Sequence, residues 1–160
     1  MKSALAPFSR RRNELAVGAI AGLAGGIAYL VEMKWDLSAF NYHTDDRILL
    51  GGMLIKGEHS ARILGTAMHL GNSVVFGVVY ESLVYERLAG PGWLRGVAIA
   101  SAENLALYSL LRFEDVHPAI QDGRLDSYWT AVAFAQGVLR HLAFGAMMGW
   151  VADRLRSRLA

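Results

Sequence analysis

The sequence contains no cysteine. Disulfide bonds, thiolate metal sites, iron–sulfur clusters and cysteine nucleophiles are therefore excluded together. Common catalytic signatures are missing as well: there is no Gly-x-Ser-x-Gly, no His-Glu-x-x-His and no phosphate-binding loop. We therefore expect a protein that is not an enzyme, with no catalytic residues and no metal site.

Charged residues are scarce too. They make up 19% of the 160 residues, whereas 54% are hydrophobic. In soluble domains about 25% of the residues are charged and roughly 45–50% are apolar. Four apolar stretches separated by charged segments explain this composition, and each is close to the length that crosses about 30 Å of hydrocarbon as a helix. We predict a single all-α domain, an integral membrane four-helix bundle. Its spans are predicted at about 13–31, 62–85, 93–111 and 128–152.

The positions of the basic residues predict the orientation of these spans. Nine Lys and Arg residues lie in the N-terminal arm, in the turn between the second and third spans and in the C-terminal tail, against six in the two outer connections. Because Lys and Arg accumulate on the cytoplasmic side of a membrane, both termini are predicted to be cytoplasmic. Nucleic acid is not predicted as a partner, because no aromatic residues are interleaved with the basic clusters.

Three glycines line one face of the first span. Gly18, Gly22 and Gly26 recur every four residues, so they form a strip along which another helix can approach closely. The sequence leaves open whether that helix belongs to the same chain or to another subunit.

A long outer loop is predicted between the first two spans, because residues 32–61 are rich in charge. Within it, the apolar residues are spaced for a short amphipathic helix at about 45–56, lying at the membrane interface. The tryptophans fall at or near the predicted span ends, where an aromatic belt anchors helices at the interface. These predicted anchors are Trp35, Trp93, Trp129 and Trp150.

Polar and ionisable residues occur inside the predicted spans, where they are costly and need partners. They are His69 and Asn72 in the second span, Glu103 and Asn104 in the third, and Gln136, Arg140 and His141 in the fourth. Since Glu103 and Arg140 lie near the middle of adjacent spans, we predict that they form an ion pair. Such a pair either fixes the register of the helices or belongs to a proton path, an ion path or a ligand pocket; both interpretations stay open.

Two histidines inside the membrane also suggest a haem with axial ligands from His69 and His141. Their predicted depths differ by about 10 Å along parallel helices, which disfavours one iron between them. No cofactor is therefore predicted, and haem is kept as a minor alternative.

Two segments carry a resemblance to a known group. At 69–80 (HLGNSVVFGVVY) and 141–149 (HLAFGAMMG) the chain resembles the YagU-like proteins, small membrane proteins of bacteria. The resemblance implies four spans and a location in the bacterial inner membrane. It implies no catalytic or binding residues.

These observations lead to three functional hypotheses. The first is a non-enzymatic membrane protein that acts as a subunit or accessory factor of a larger assembly, with lipid and other membrane subunits or further copies of itself as partners. The second is a small proton- or ion-linked transporter or channel that uses the intramembrane Glu, Arg and His residues. The third is a haem-binding electron-transfer subunit.

Overall fold

The computed structural model describes residues 6–159, so the first five residues of the predicted basic arm, including Lys2, lie outside the described residues. Within this range the chain is all-helical and contains no strand, which confirms the predicted all-α class. The helices are α1 (Ala6–Ala39), α2 (Asp46–Gly51), α3 (Glu58–Val79), α4 (Gly92–Leu110), α5 (Pro118–Gln121) and α6 (Ala131–Leu159). A π-helical turn, Tyr80–Val84, continues α3, and a 3₁₀ turn, Leu111–Val116, follows α4.

Three of these helical segments are long and apolar enough to cross a membrane. They are Arg12–Ala39, Glu58–Val84 and Ala131–Leu159. The segment predicted as the third span corresponds to α4, whose 19 residues include Arg95, Glu103 and Asn104, and it is not among the three.

The helices pack side by side, with α1 and α6 in the centre. α1 packs against α6 and α3, whereas α4 packs against α6. α3 therefore flanks α1 and α4 flanks α6, and α3 and α4 make no extensive contact with each other. This arrangement leaves a gap between α3 and α4.

The glycine strip of α1 packs against α3 of the same chain. A Cβ atom added at Gly18 would lie 2.7 Å from the carbonyl oxygen of Gly77, and one added at Gly26 would lie 2.7 Å from Cβ of Ser73. At Gly22 an added Cβ would collide with the Ser73 carbonyl oxygen. Only glycine permits so close an approach of the two backbones.

A second glycine seam joins α4 to α6. An added Cβ at Gly96 would collide with the backbone of Gly145, and one at Gly149 with the backbone of Gly92. α3 and α4 are thus attached to the central pair in the same way, by backbone contact rather than by large side chains.

The connection between α1 and α3 and the connection between α4 and α6 fold over one end of the helices and form a cap. In the cap, Ile48 of α2 packs with Ala119 of α5, Leu125 and Tyr128 in a small second core. The helix predicted at 45–56 is present but shorter, since α2 ends at Gly51, and it packs against the beginning of α3.

The opposite end is held by charged residues. Asp153 accepts a hydrogen bond from the backbone N–H of Gly92 at 2.6 Å and pairs with Arg95 at 3.0 Å. Arg156 pairs with Glu81 and with Glu86. The end of α6 is therefore tied both to α4 and to the π-helical turn.

The four tryptophans are all at least 48% exposed; three lie on helices, and Trp129 lies just before α6. Trp93 lies beside the Gly92–Gly149 contact and therefore at nearly the same height as Trp150. Their role as interface anchors remains a prediction.

Candidate functional site

Arg140 is the largest of the almost fully buried side chains in the described part of the chain. Gln136, Arg140, Phe144 and Met148 recur every four residues of α6, and all four are buried in its contact with α1. Because helical side chains tilt toward the N-terminal end of their helix, the guanidinium of Arg140 reaches toward the cap. There it meets Asp36, which lies one turn before the end of α1.

All five N–H donors of the guanidinium are used. Asp36 accepts two parallel hydrogen bonds, from Nε at 2.6 Å and from Nη2 at 2.7 Å. Asp46 accepts one from Nη1 at 2.8 Å, and Thr44 accepts two, at its carbonyl oxygen (2.7 Å) and at its hydroxyl (3.1 Å). Since arginine has five N–H donors, no donor of Arg140 is left for another partner.

The partners of Arg140 are themselves held in place. The Tyr29 hydroxyl donates to Asp46 at 2.5 Å, and the Gln136 amide donates to Asp36 at 3.2 Å. The Thr44 hydroxyl donates to the Gln136 oxygen at 2.7 Å. This network, which we call the Arg140 cluster, joins α1, residues 44–46 and α6.

The predicted Glu103–Arg140 ion pair is wrong. Arg140 pairs with Asp36 and Asp46 instead, and Glu103 forms no ion pair with any residue that the structure describes. The physical reason is that α1 continues through residues 32–39 and that the connection folds back, so that two carboxylates reach the guanidinium from the side of α1. Glu103 lies on α4, which packs against α6 and makes no extensive contact with α1.

A neighbouring carboxylate belongs to a separate group. Asp45 caps the beginning of α2 by accepting from the backbone N–H of Arg47 at 3.0 Å. Its side chain also pairs with the guanidinium groups of Arg47 and Arg62. Burial by itself raises the pKa of Asp45, but the hydrogen bonds and charge of Arg47 outweigh that effect and hold the pKa below its usual value.

A cavity of about 310 Å³ lies beside the Arg140 cluster. Six of the seven polar residues predicted inside the spans line it, and Gln136, which is buried behind them in the Arg140 cluster, is the exception. The six residues are His69, Asn72, Glu103, Asn104, Arg140 and His141. The rest of the wall is mostly apolar and includes Leu49, Leu50, Phe76, Leu107 and Phe144.

The cavity opens between α3 and α4. Asn72 of α3 and Leu107 and Leu110 of α4 line it and are also exposed at the surface. They form its rim, because α3 and α4 make no extensive contact that could close this side.

Several polar groups of the cavity wall lack partners among the described residues. His69 Nε2 and the Tyr128 hydroxyl are buried and make no hydrogen bond. The Nδ1 atom of His141 lies 2.7 Å from the Gly137 carbonyl oxygen, which can only accept, so Nδ1 donates and the ring leaves Nε2 as an acceptor. The Tyr128 hydroxyl is a further group in this wall that can donate a hydrogen bond.

Tyr29 lies against both predicted haem ligands. Its ring centroid is 4.6 Å from that of His69 and 5.3 Å from that of His141. The two histidines are therefore neighbours of the same tyrosine in the cavity wall. In the described part of the chain, no three His, Asp or Glu side chains are grouped so that they could hold a metal ion.

Sequence reasoning missed several residues of the site, namely Tyr29, Asp36, Thr44, Asp46 and Tyr128. One signal was available for Asp36. It continues the buried stripe of α1, in which Val17, Ala21, Gly25, Tyr29 and Met33 recur every four residues.

Comparison with family models, with curated proteins and with solved structures finds no match for this chain. The resemblance to the YagU-like proteins therefore stays a prediction.

Proposed function

We propose that this chain is a membrane-embedded binding protein that takes a small amphipathic molecule from the bilayer into the cavity between α3, α4 and α6. The observation that carries the proposal is the cavity itself, in which convergent polar groups lie in a mostly apolar wall. This combination is typical of ligand sites, whose volumes run from about 300 to 1,000 Å³.

The opening between α3 and α4 supports a ligand that arrives through the membrane. Both rim helices present apolar side chains outside the cavity, such as Val75 on α3 (63% exposed) and Leu105 on α4 (61% exposed). A molecule with an apolar tail can leave the lipid phase between these helices while its polar end reaches the groups at the cavity floor.

The proposal includes four spans, with α4 as the third, and both termini in the cytoplasm of a bacterial inner membrane. The glycine seam between α4 and α6 supports this topology, because it holds α4 alongside a helix of membrane length. The distribution of Lys and Arg supports the orientation.

The structure supports two of the functional hypotheses to different degrees. The glycine strip, for which the sequence left the packing partner open, is used within the chain by α1 and α3, so it does not support an accessory role in a larger assembly. Binding in the cavity is, in contrast, a first step that a small transporter requires, and the ionisable residues invoked for transport line it.

Photolabelling with a neutral alkyl alcohol that carries a diazirine tests the proposal. In nanodiscs, we expect labels to concentrate on cavity residues of α3, α4 and α6. Leu107→Trp should abolish this labelling because it fills the mouth of the cavity from its rim. The matched control is Leu105→Trp on the same helix, which lies outside the cavity and should label like the wild type. Labels spread evenly over all apolar surfaces, or unaffected by Leu107→Trp, would refute the proposal.

A further inference from the structure

We propose that the ligand of this cavity is a small amphipathic amine, bound as its ammonium ion with Glu103 as the counter-ion. The inference rests on the proposed function and adds the charge of the ligand to it. The chemistry of the cavity wall carries the argument.

Among the described residues, Arg140 is the only arginine in the cavity wall, and it has no capacity to bind an anion. Its five N–H donors are all used, and its single positive charge faces the carboxylates of Asp36 and Asp46. A ligand carboxylate or phosphate would therefore find no free donor on Arg140, and it would meet Glu103 in the same cavity. Like charges in a site of low polarity repel each other strongly.

Glu103 is the carboxylate of this cavity that remains available. Asp46, the other one in the wall, already accepts from Arg140 and from the Tyr29 hydroxyl. Glu103 makes no hydrogen bond and no ion pair with the residues that the structure describes, although most of its side chain is enclosed by the cavity wall. A buried carboxylate is stabilised by a cation that brings its own N–H donors.

The neighbouring groups also suit an ammonium head. An ammonium ion has three donors and no acceptor. His141 leaves Nε2 as an acceptor, and the side-chain oxygen of Asn104 lies next to Gly137 on the same wall, 3.0 Å from where a Cβ at that glycine would stand. An ammonium near Glu103 can therefore donate to several oxygen and nitrogen acceptors at once, while its alkyl tail lies against Leu107 and Phe144.

Titration with three probes of equal chain length tests the inference: octylammonium, octanol and octanoate. Calorimetry of the protein in nanodiscs, corrected with empty nanodiscs, gives their dissociation constants. Because hydrogen bonds to charged groups are stronger than neutral ones, octylammonium should bind the wild-type chain about tenfold more tightly than octanol or better. Octanoate should bind most weakly.

Variants of Glu103 identify the counter-ion. Glu103→Gln should lower the affinity for octylammonium to about that for octanol, so that the preference for the ammonium ion is lost. Glu103→Asp, which keeps the charge, should retain a preference for the ammonium. The control Glu58→Gln removes an exposed carboxylate outside the cavity, at the start of α3, and should change none of the three affinities.

The outcomes separate this inference from the proposed function. Equal binding of octylammonium and octanol, or an ammonium preference that survives Glu103→Gln, would overturn the inference while the cavity remains a binding site. Failure of all three probes to bind any of the proteins would count against both.

Discussion

Removing Arg140 should be among the most destabilising single changes in this protein. The side chain is 1% exposed, and Asp36 is fully buried. Arg140→Met would leave Asp36 and Asp46 without their cation and would delete five hydrogen bonds. Breaking a buried ion pair by removing one partner costs about 3–5 kcal/mol, because the remaining charge is uncompensated.

A double-mutant cycle shows whether this cost comes from the pairing. Asp36→Leu alone should also cost about 3–5 kcal/mol, whereas Arg140→Met with Asp36→Leu should cost no more than either single change. The magnitude of the coupling energy is then at least about 3 kcal/mol. Unfolding of the detergent-solubilised protein with increasing mole fractions of SDS, followed by tryptophan fluorescence, gives the free energies.

Glu103→Gln is the control that distinguishes the two possible partners of Arg140. With Asp36 and Asp46 as the partners, this change breaks no ion pair and should not lower the free energy of unfolding. If Glu103→Gln lowered the free energy of unfolding as much as Arg140→Met does, Glu103 would be the partner of Arg140 and the observed network would be refuted. Single changes at Arg140 and Asp36 that each cost less than about 1 kcal/mol would refute the reasoning as well.

Three further predictions concern packing, pH and depth. Gly96→Ala should cost about 1–3 kcal/mol by forcing α4 away from α6, whereas Gly71→Ala, with nothing within 4 Å, should be neutral or stabilising; thermal unfolding in detergent compares them. The pKa of Asp45 is lower in the folded than in the unfolded state. Its ionised side chain therefore contributes to stability above about pH 4, and this contribution is lost as the pH falls through the folded-state pKa. Asp45→Asn should remove this part of the acid sensitivity of the unfolding midpoint. In variants that each retain one tryptophan, lipids brominated near the headgroup should quench Trp93 and Trp150 more strongly than lipids brominated near the chain end, and the reverse order would contradict their role as anchors.

The sequence predicted the elements that depend on local pattern. Four helices follow from the four apolar stretches, and the glycine strip of α1 follows from its four-residue spacing. Six of the seven polar residues selected for their depth line one cavity, because polar groups inside an apolar bundle converge on its interior.

The partners of Arg140 could not be read from a single sequence. Asp36 is 104 positions away, and Asp46 lies in a segment that has the composition of a solvated loop. Nothing local shows that α1 continues to Ala39 or that residues 44–46 fold back onto it. The pairing is decided by tertiary contacts, which satisfy two carboxylates and a guanidinium together.

Native mass spectrometry with saturating octylammonium tests most directly whether the cavity binds one amphipathic molecule, because it counts the molecules bound to each chain. We expect one bound molecule per chain for the wild type and for Leu105→Trp, and none for Leu107→Trp, whose indole occupies the mouth of the cavity. An equal number of bound molecules on Leu107→Trp and the wild type, or no bound molecule on the wild type, would contradict it.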